Sequence, residues 1–171
     1  MRFWTIQTYE AWEEALALGH LIGNPNFIWE DFLEPYQWMM DQMRKRLPNY
    51  QGEYPIWLWP KRPDLRYSGY INKGEKAVLL SVDMKVEDVL LSDFQAWHLV
   101  LCNEFLSLTE EEDQLVESGN LSMSKEESWE RIFNYKELSQ CEYWKGTEDL
   151  QGVTGGVALS SIKYIQTFIG S

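Results

Sequence analysis

In the segment Tyr54-Pro55-Ile56-Trp57-Leu58-Trp59-Pro60-Lys61-Arg62-Pro63-Asp64-Leu65-Arg66, an apolar and aromatic run breaks into prolines and three cations. Arginine grips a phosphate or pyrophosphate with a bidentate fork, and lysine adds a point charge. Lys61 and Arg62 therefore suit an anionic ligand, and Trp57 or Trp59 suits a flat ring such as nicotinamide or adenine. Strand alternation puts both indoles on one face and Leu58 on the other. If that shared face is the core, the stacking role is lost, and this alternative stays open. The remaining candidates sit at other strand ends: Thr5 and Gln7, His98, and the stretch Glu148 to Gln151. A carboxylate beside a bound dinucleotide would stabilise an oxocarbenium-like ribose in glycosyl transfer. Glu148 and Asp149 are the acids at hand, and spacing alone singles out neither.

Several other chemistries lack their residues. There is no glycine-rich phosphate loop before a helix with Lys-Ser or Lys-Thr, no paired-histidine metal motif and no Gly-x-Ser-x-Gly elbow. With His20 and His98 as the only histidines, a histidine-rich metal centre is excluded. Glu110-Glu111-Glu112 and Glu126-Glu127 read as solvated, dipole-matched helix starts, because consecutive glutamates on a helix do not converge on one ion. No metal site is expected.

The elements that must position the candidates follow from periodicity. Arg2 to Gln7 alternates as a strand; Thr8 caps a helix over Ala11, Trp12, Ala15 and Leu16, and Gly19 stops it. Phe27 to Arg46 is a helical region in which Pro35 starts a first turn and Tyr36, Met39, Met40, Met43 and Leu47 face inwards. Tyr54 to Trp59 is a strand ended by Pro60 and Pro63, which cannot donate to a ladder. Lys76 to Val82 is a buried strand and Val89 to Leu91 a short one; Phe94 to Leu101 is ambiguous between helix and strand, with Trp97 to Leu101 leaning towards strand. Thr109 with Glu112 and Ser124 with Glu127 have capping-box spacing, and the tail reads as a strand, a turn at Gly155-Gly156 and a last strand. Strands at both ends with helices between them predict an α+β fold, a mixed β-sheet with peripheral helices.

At 171 residues, with 44% hydrophobic and 25% charged residues, the chain fits one folded domain spanning 1–171. Its net charge of −12 repels phosphate backbones, so broad nucleic-acid binding is not expected, whereas a local basic loop can still take one nucleotide. Cys102 and Cys141 show no pairing logic, and no apolar run nears the roughly 18 residues of a membrane span. A cytoplasmic protein with no membrane association is the expectation.

The segments Phe3-Trp4-Thr5-Ile6-Gln7, Trp29-Glu30-Asp31-Phe32-Leu33, Pro55 to Leu65, and Val89 to Phe94 with Trp97-His98 resemble a bacterial family of unknown function, the one numbered 3841. That resemblance implies no activity. A second similarity is to the ADP-ribosyltransferase superfamily, especially its DNA-modifying toxin branch. It rests on the opening strand and short helix ending at Gly19, the aromatic strand running into an Arg-containing turn at Trp57 to Pro63, and two closing strands around Gly155-Gly156. This resemblance implies an ADP-ribosyltransferase-like fold, with NAD or a related nucleotide as a substrate and no tightly bound cofactor. Thr5 then stands where the superfamily usually has Arg or His. Gln151 stands at the position of the catalytic Glu, unless Glu148 is the acid. The rival expectation is a non-catalytic protein whose acidic surface engages a basic protein partner.

Overall fold

The computed structural model describes residues 1–146 and 149–171. In chain order the strands and α-helices are β1 (Arg2–Thr8), α1 (Tyr9–Leu18), β2 (His20–Leu21), α2 (Leu33–Arg46), β3 (Ile56–Leu58), β4 (Lys76–Asp83), β5 (Leu90–Asp93), α3 (Phe94–Leu101), α4 (Glu110–Glu117), α5 (Lys125–Trp129), α6 (Tyr135–Leu138), β6 (Leu150–Thr154), β7 (Val157–Ala158) and β8 (Ile162–Ile169). This is a mixed α+β chain whose registered strand pairs are antiparallel. Contacts gather it into two compact units, one of Met1–Phe27, Met40–Leu90 and Gly152–Ser171, the other of Ile28–Met39 and Leu91–Gln151. No helix among the described residues is long and apolar enough to cross a membrane.

The first unit is built on β4, whose Ala77 to Val82 are all buried, as befits a central strand that is apolar but for Ser81. β1 pairs along one side of it, from Arg2 opposite Asp83 to Thr8 opposite Ala77, and β8 pairs along the other with a register shift between Leu79 and Leu80. The Thr8 hydroxyl accepts from the Ala11 N–H at 3.1 Å and starts α1, and Gly19 at φ +86° ends it. Met40, Met43 and Leu47, expected on the inner side of α2, are buried. The expected strand Tyr54 to Trp59 forms a shorter ladder: β3 pairs Ile56, Trp57 and Leu58 with Thr154, Val153 and Gly152. The next residue, Trp59, transfers to β1, exchanging backbone hydrogen bonds with Trp4 at 2.9 and 2.8 Å.

The second unit is helical and rich in indoles. Trp129 is fully buried, donates its Nε1–H to the Glu104 carbonyl at 2.7 Å, and meets Trp38 edge-on at 5.4 Å; Trp38 also stacks on Phe133. Phe94–Leu101 corrects an expectation: it is helix α3, not strand. The Asp93 carboxylate accepts from the Ala96 N–H at 2.8 Å and caps it, and Ala96, Trp97 and Val100 form its buried face. Trp97 to Leu101 is too short a run, with one polar residue in it, for its period to separate the two. At Ser124 both halves of the capping box form; Thr109 caps α4 by accepting from the Glu112 N–H.

Candidate functional site

The antiparallel exchange between Trp4 and Trp59 sets their side chains next to one another on one face, at the point where β3 runs out into Pro60. Both indoles are half-buried, and Tyr70 meets Trp59 edge-on at 5.4 Å. Arg62 lies over the Trp4 ring, 5.3 Å from its centroid, and donates through one terminal nitrogen to the Gln166 amide oxygen at 3.3 Å. It thus reaches from β1 to β8, the strands flanking β4, with its planar group held on an aromatic face. Lys61 beside it is exposed. Among the described residues neither Lys61 nor Arg62 forms an ion pair. Arg66, the third cation of the loop, is spent on Asp64: hydrogen bonds from its guanidinium hold that carboxyl down at about 2.

Trp57, one residue inside β3, is half-buried between fully enclosed Ile56 and Leu58. Thr5 and Gln7 alternate with Trp4 along β1 and so take its opposite face. There Thr5 is fully buried and its hydroxyl accepts from the Gln7 amide at 2.9 Å, an internal polar pair. His98 and Gln151 belong to the second unit. His98 is exposed on α3, with Nδ1 2.8 Å from the Phe94 carbonyl; Gln151 is buried and donates to the Ser92 hydroxyl at 3.3 Å. Glu148 lies outside the described residues. The structure therefore assembles Trp4, Trp59, Lys61 and Arg62 into one surface of the first unit, with Tyr70 and Gln166 as additions that no spacing signalled.

The first unit also holds a small cleft of about 170 Å³, lined by Tyr50, Glu53, Asp88, Thr154 and Gly155-Gly156 among others. The Tyr50 hydroxyl donates to the Glu53 carbonyl at 2.6 Å, Asn49 donates to the Asp88 carboxylate at 2.8 Å, and Thr154 donates to the Asp88 carbonyl at 2.8 Å. Burial pushes the Tyr50 phenol above its ordinary value; nearby Arg44 opposes that and the Glu53 charge adds to it. Gly155 has no room to spare, since a Cβ there would lie 2.6 Å from the Glu53 carboxylate. The cleft has room for a few waters or a small polar group, well short of the roughly 300 Å³ at which ligand pockets begin.

Comparison with known proteins places these residues in a family without assigning them a role. No curated protein and no solved structure matches the chain. The matched segment, residues 2–119, takes in Trp4, Trp59, Lys61 and Arg62 and stops before the turn that carries Gly155 and the strand that supplies Gln166. Over that segment the chain belongs to the family described as Domain of unknown function (DUF3841).

Proposed function

We propose that the first unit binds a nucleotide-type ligand, NAD or a relative, on the surface formed by Trp4, Trp59, Lys61 and Arg62. The observation that carries this reading is a pair of cations without carboxylate partners among the described residues, set against two half-buried indoles in a chain of net charge −12. Arg66 in the same loop is paired with Asp64, whereas the two cations beside the indoles have no such partner among the described residues. Arg62 is instead held by an aromatic face and a neutral amide, which keeps its charge available to an incoming phosphate. Lys61 adds a second, mobile charge suited to a pyrophosphate, and Trp59 offers a ring for stacking. A catalytic form of the reading adds an ADP-ribosyltransferase-like transfer, with Glu148 as the acid that stabilises the ribosyl cation; Gln151 cannot carry that negative charge.

Titration calorimetry with NAD, ADP-ribose and inorganic pyrophosphate tests the binding. Saturable heat is expected with NAD or ADP-ribose, and Arg62→Gln is expected to weaken it by about tenfold to a hundredfold, as loss of a charge-assisted hydrogen bond does. Trp59→Ala should weaken the ring-bearing ligands and leave pyrophosphate unaffected. No heat at millimolar ligand with the protein folded overturns the reading. For transfer, Glu148→Gln should abolish NAD consumption; an unchanged rate removes Glu148 from the site.

A further inference from the structure

We propose that Trp29 anchors a docking surface for a lysine- or arginine-bearing segment of another protein. This surface belongs to the second unit and is independent of the nucleotide reading. Trp29 is 73% exposed, whereas Trp97, Trp129 and Trp144 are buried. An indole offers about 200 Å² of largely apolar area, and leaving most of it in water forfeits what burial would return. The ring is also held in place. The Phe32 N–H donates to the Trp29 carbonyl at 2.9 Å to close the 3-10 turn Glu30–Phe32, and the two rings stack at 5.8 Å and 12°. Phe32 covers one face of the indole, and the exposure leaves the other to solvent. Leu33, 46% exposed, extends the apolar area. An exposed aromatic side chain with one face already against a neighbour is the kind of residue that anchors protein–protein contacts.

Charge selects the occupant. Glu30, Asp31 and Glu34 around Trp29 are exposed and form no ion pair among the described residues, and the sequence has no lysine or arginine between Arg2 and Arg44. These acids also suit the start of α2, which explains their sign but not the exposed indole beside them. A two-fold contact with a second copy would set the same acids against themselves. Anionic lipid and nucleic-acid backbones are repelled for the same reason. A basic peptide segment meets both features: a guanidinium or ammonium lies on the open indole face while neighbouring cations pair with the carboxylates.

The test follows the Trp29 indole N–H resonance, assigned with Trp29→Phe, during titration with a capped synthetic peptide of alternating arginine and glycine. The control peptide carries citrulline, neutral and nearly isosteric, in place of arginine. A saturable shift with the arginine peptide only is expected, weakening by about tenfold between low and physiological salt. Read by titration calorimetry, which does not depend on the Trp29 resonance, Trp29→Ala should abolish binding with all acids retained, and Glu30→Gln/Asp31→Asn/Glu34→Gln should weaken it. The proposal is overturned by no shift at millimolar peptide, by an equal shift with the citrulline peptide, or by peptide binding that survives Trp29→Ala. A Trp29 shift that follows protein concentration or added anionic vesicles without peptide overturns it in favour of a second copy or a membrane surface.

Discussion

A methyl group added at Gly23 would lie 2.6 Å from the Pro55 carbonyl oxygen and 2.8 Å from that of Tyr54, backbone atoms that cannot swing aside. Gly23 also donates its N–H to the Tyr54 carbonyl at 3.3 Å, so it fixes the chain just before β3. At Gly155 the corresponding contact is the end of the flexible Glu53 side chain. Gly23→Ala is therefore expected to cost about 2 kcal/mol in urea denaturation, and Gly155→Ala less than about 1 kcal/mol, by displacing the Glu53 carboxylate. Tyr50 supplies a pH signature. Its folded pKa is raised above the ordinary 10.0, so its contribution to stability is fully present below that value and is lost as pH rises through the folded one. An ultraviolet titration should show Tyr50 ionising late, and Tyr50→Phe should remove that alkaline loss while costing about 1 kcal/mol for the hydrogen bond to Glu53. At this scale the sequence is readable where chemistry and chain-breaking coincide: Lys61 and Arg62 stand out because Pro60 and Pro63 end the strand beside them. Tyr50, Glu53, Asp88 and Gly155 do not stand out, because their meeting depends on three distant segments. The Gly155-Gly156 pair directly after a strand was the only local sign of a close approach there.

Among the elements, a covered ion pair joins two segments of the second unit. Arg131 donates to the Leu106 carbonyl at 2.7 Å and forms a two-pronged contact with Glu112, tying the chain two residues after α5 to α4. Both side chains are about four-fifths covered, at 18% and 19% exposure. Removing one charge from a covered pair leaves the other unsatisfied, so Glu112→Gln should destabilise the protein by about 3 kcal/mol. Adding Arg131→Met should recover part of that in a double-mutant cycle; additive losses would show that the two side chains act separately. The helix starts were legible because caps are local: Ser124 and Glu127 sit three residues apart and bond reciprocally as that spacing predicts. α3 was not, because in the five residues Trp97-His98-Leu99-Val100-Leu101 the single polar side chain, His98, fixes no period, and its cap at Asp93 decides the outcome only once the chain before it has turned.

Across the whole molecule, the α+β order of strands and helices follows from the sequence, whereas the grouping into two units rests on contacts between residues far apart in the chain, which no window of periodicity records. Those contacts have a temporal side. β4 finds one partner in β1, about seventy residues behind it, and the other in β8, about eighty residues ahead. During synthesis its hydrogen-bonding edge towards β8 must wait, with Ala-Val-Leu-Leu-Ser-Val uncovered, until Ile162–Ile169 has left the ribosome. Such long-range pairing slows folding, and an apolar strand held half-paired is a template for association with other nascent chains. Slower translation lengthens that exposure instead of relieving it. Yield should therefore respond more to a holding chaperone than to reduced expression rate, and those amides of β4 that face β8 should gain protection from hydrogen exchange only after β8 docks.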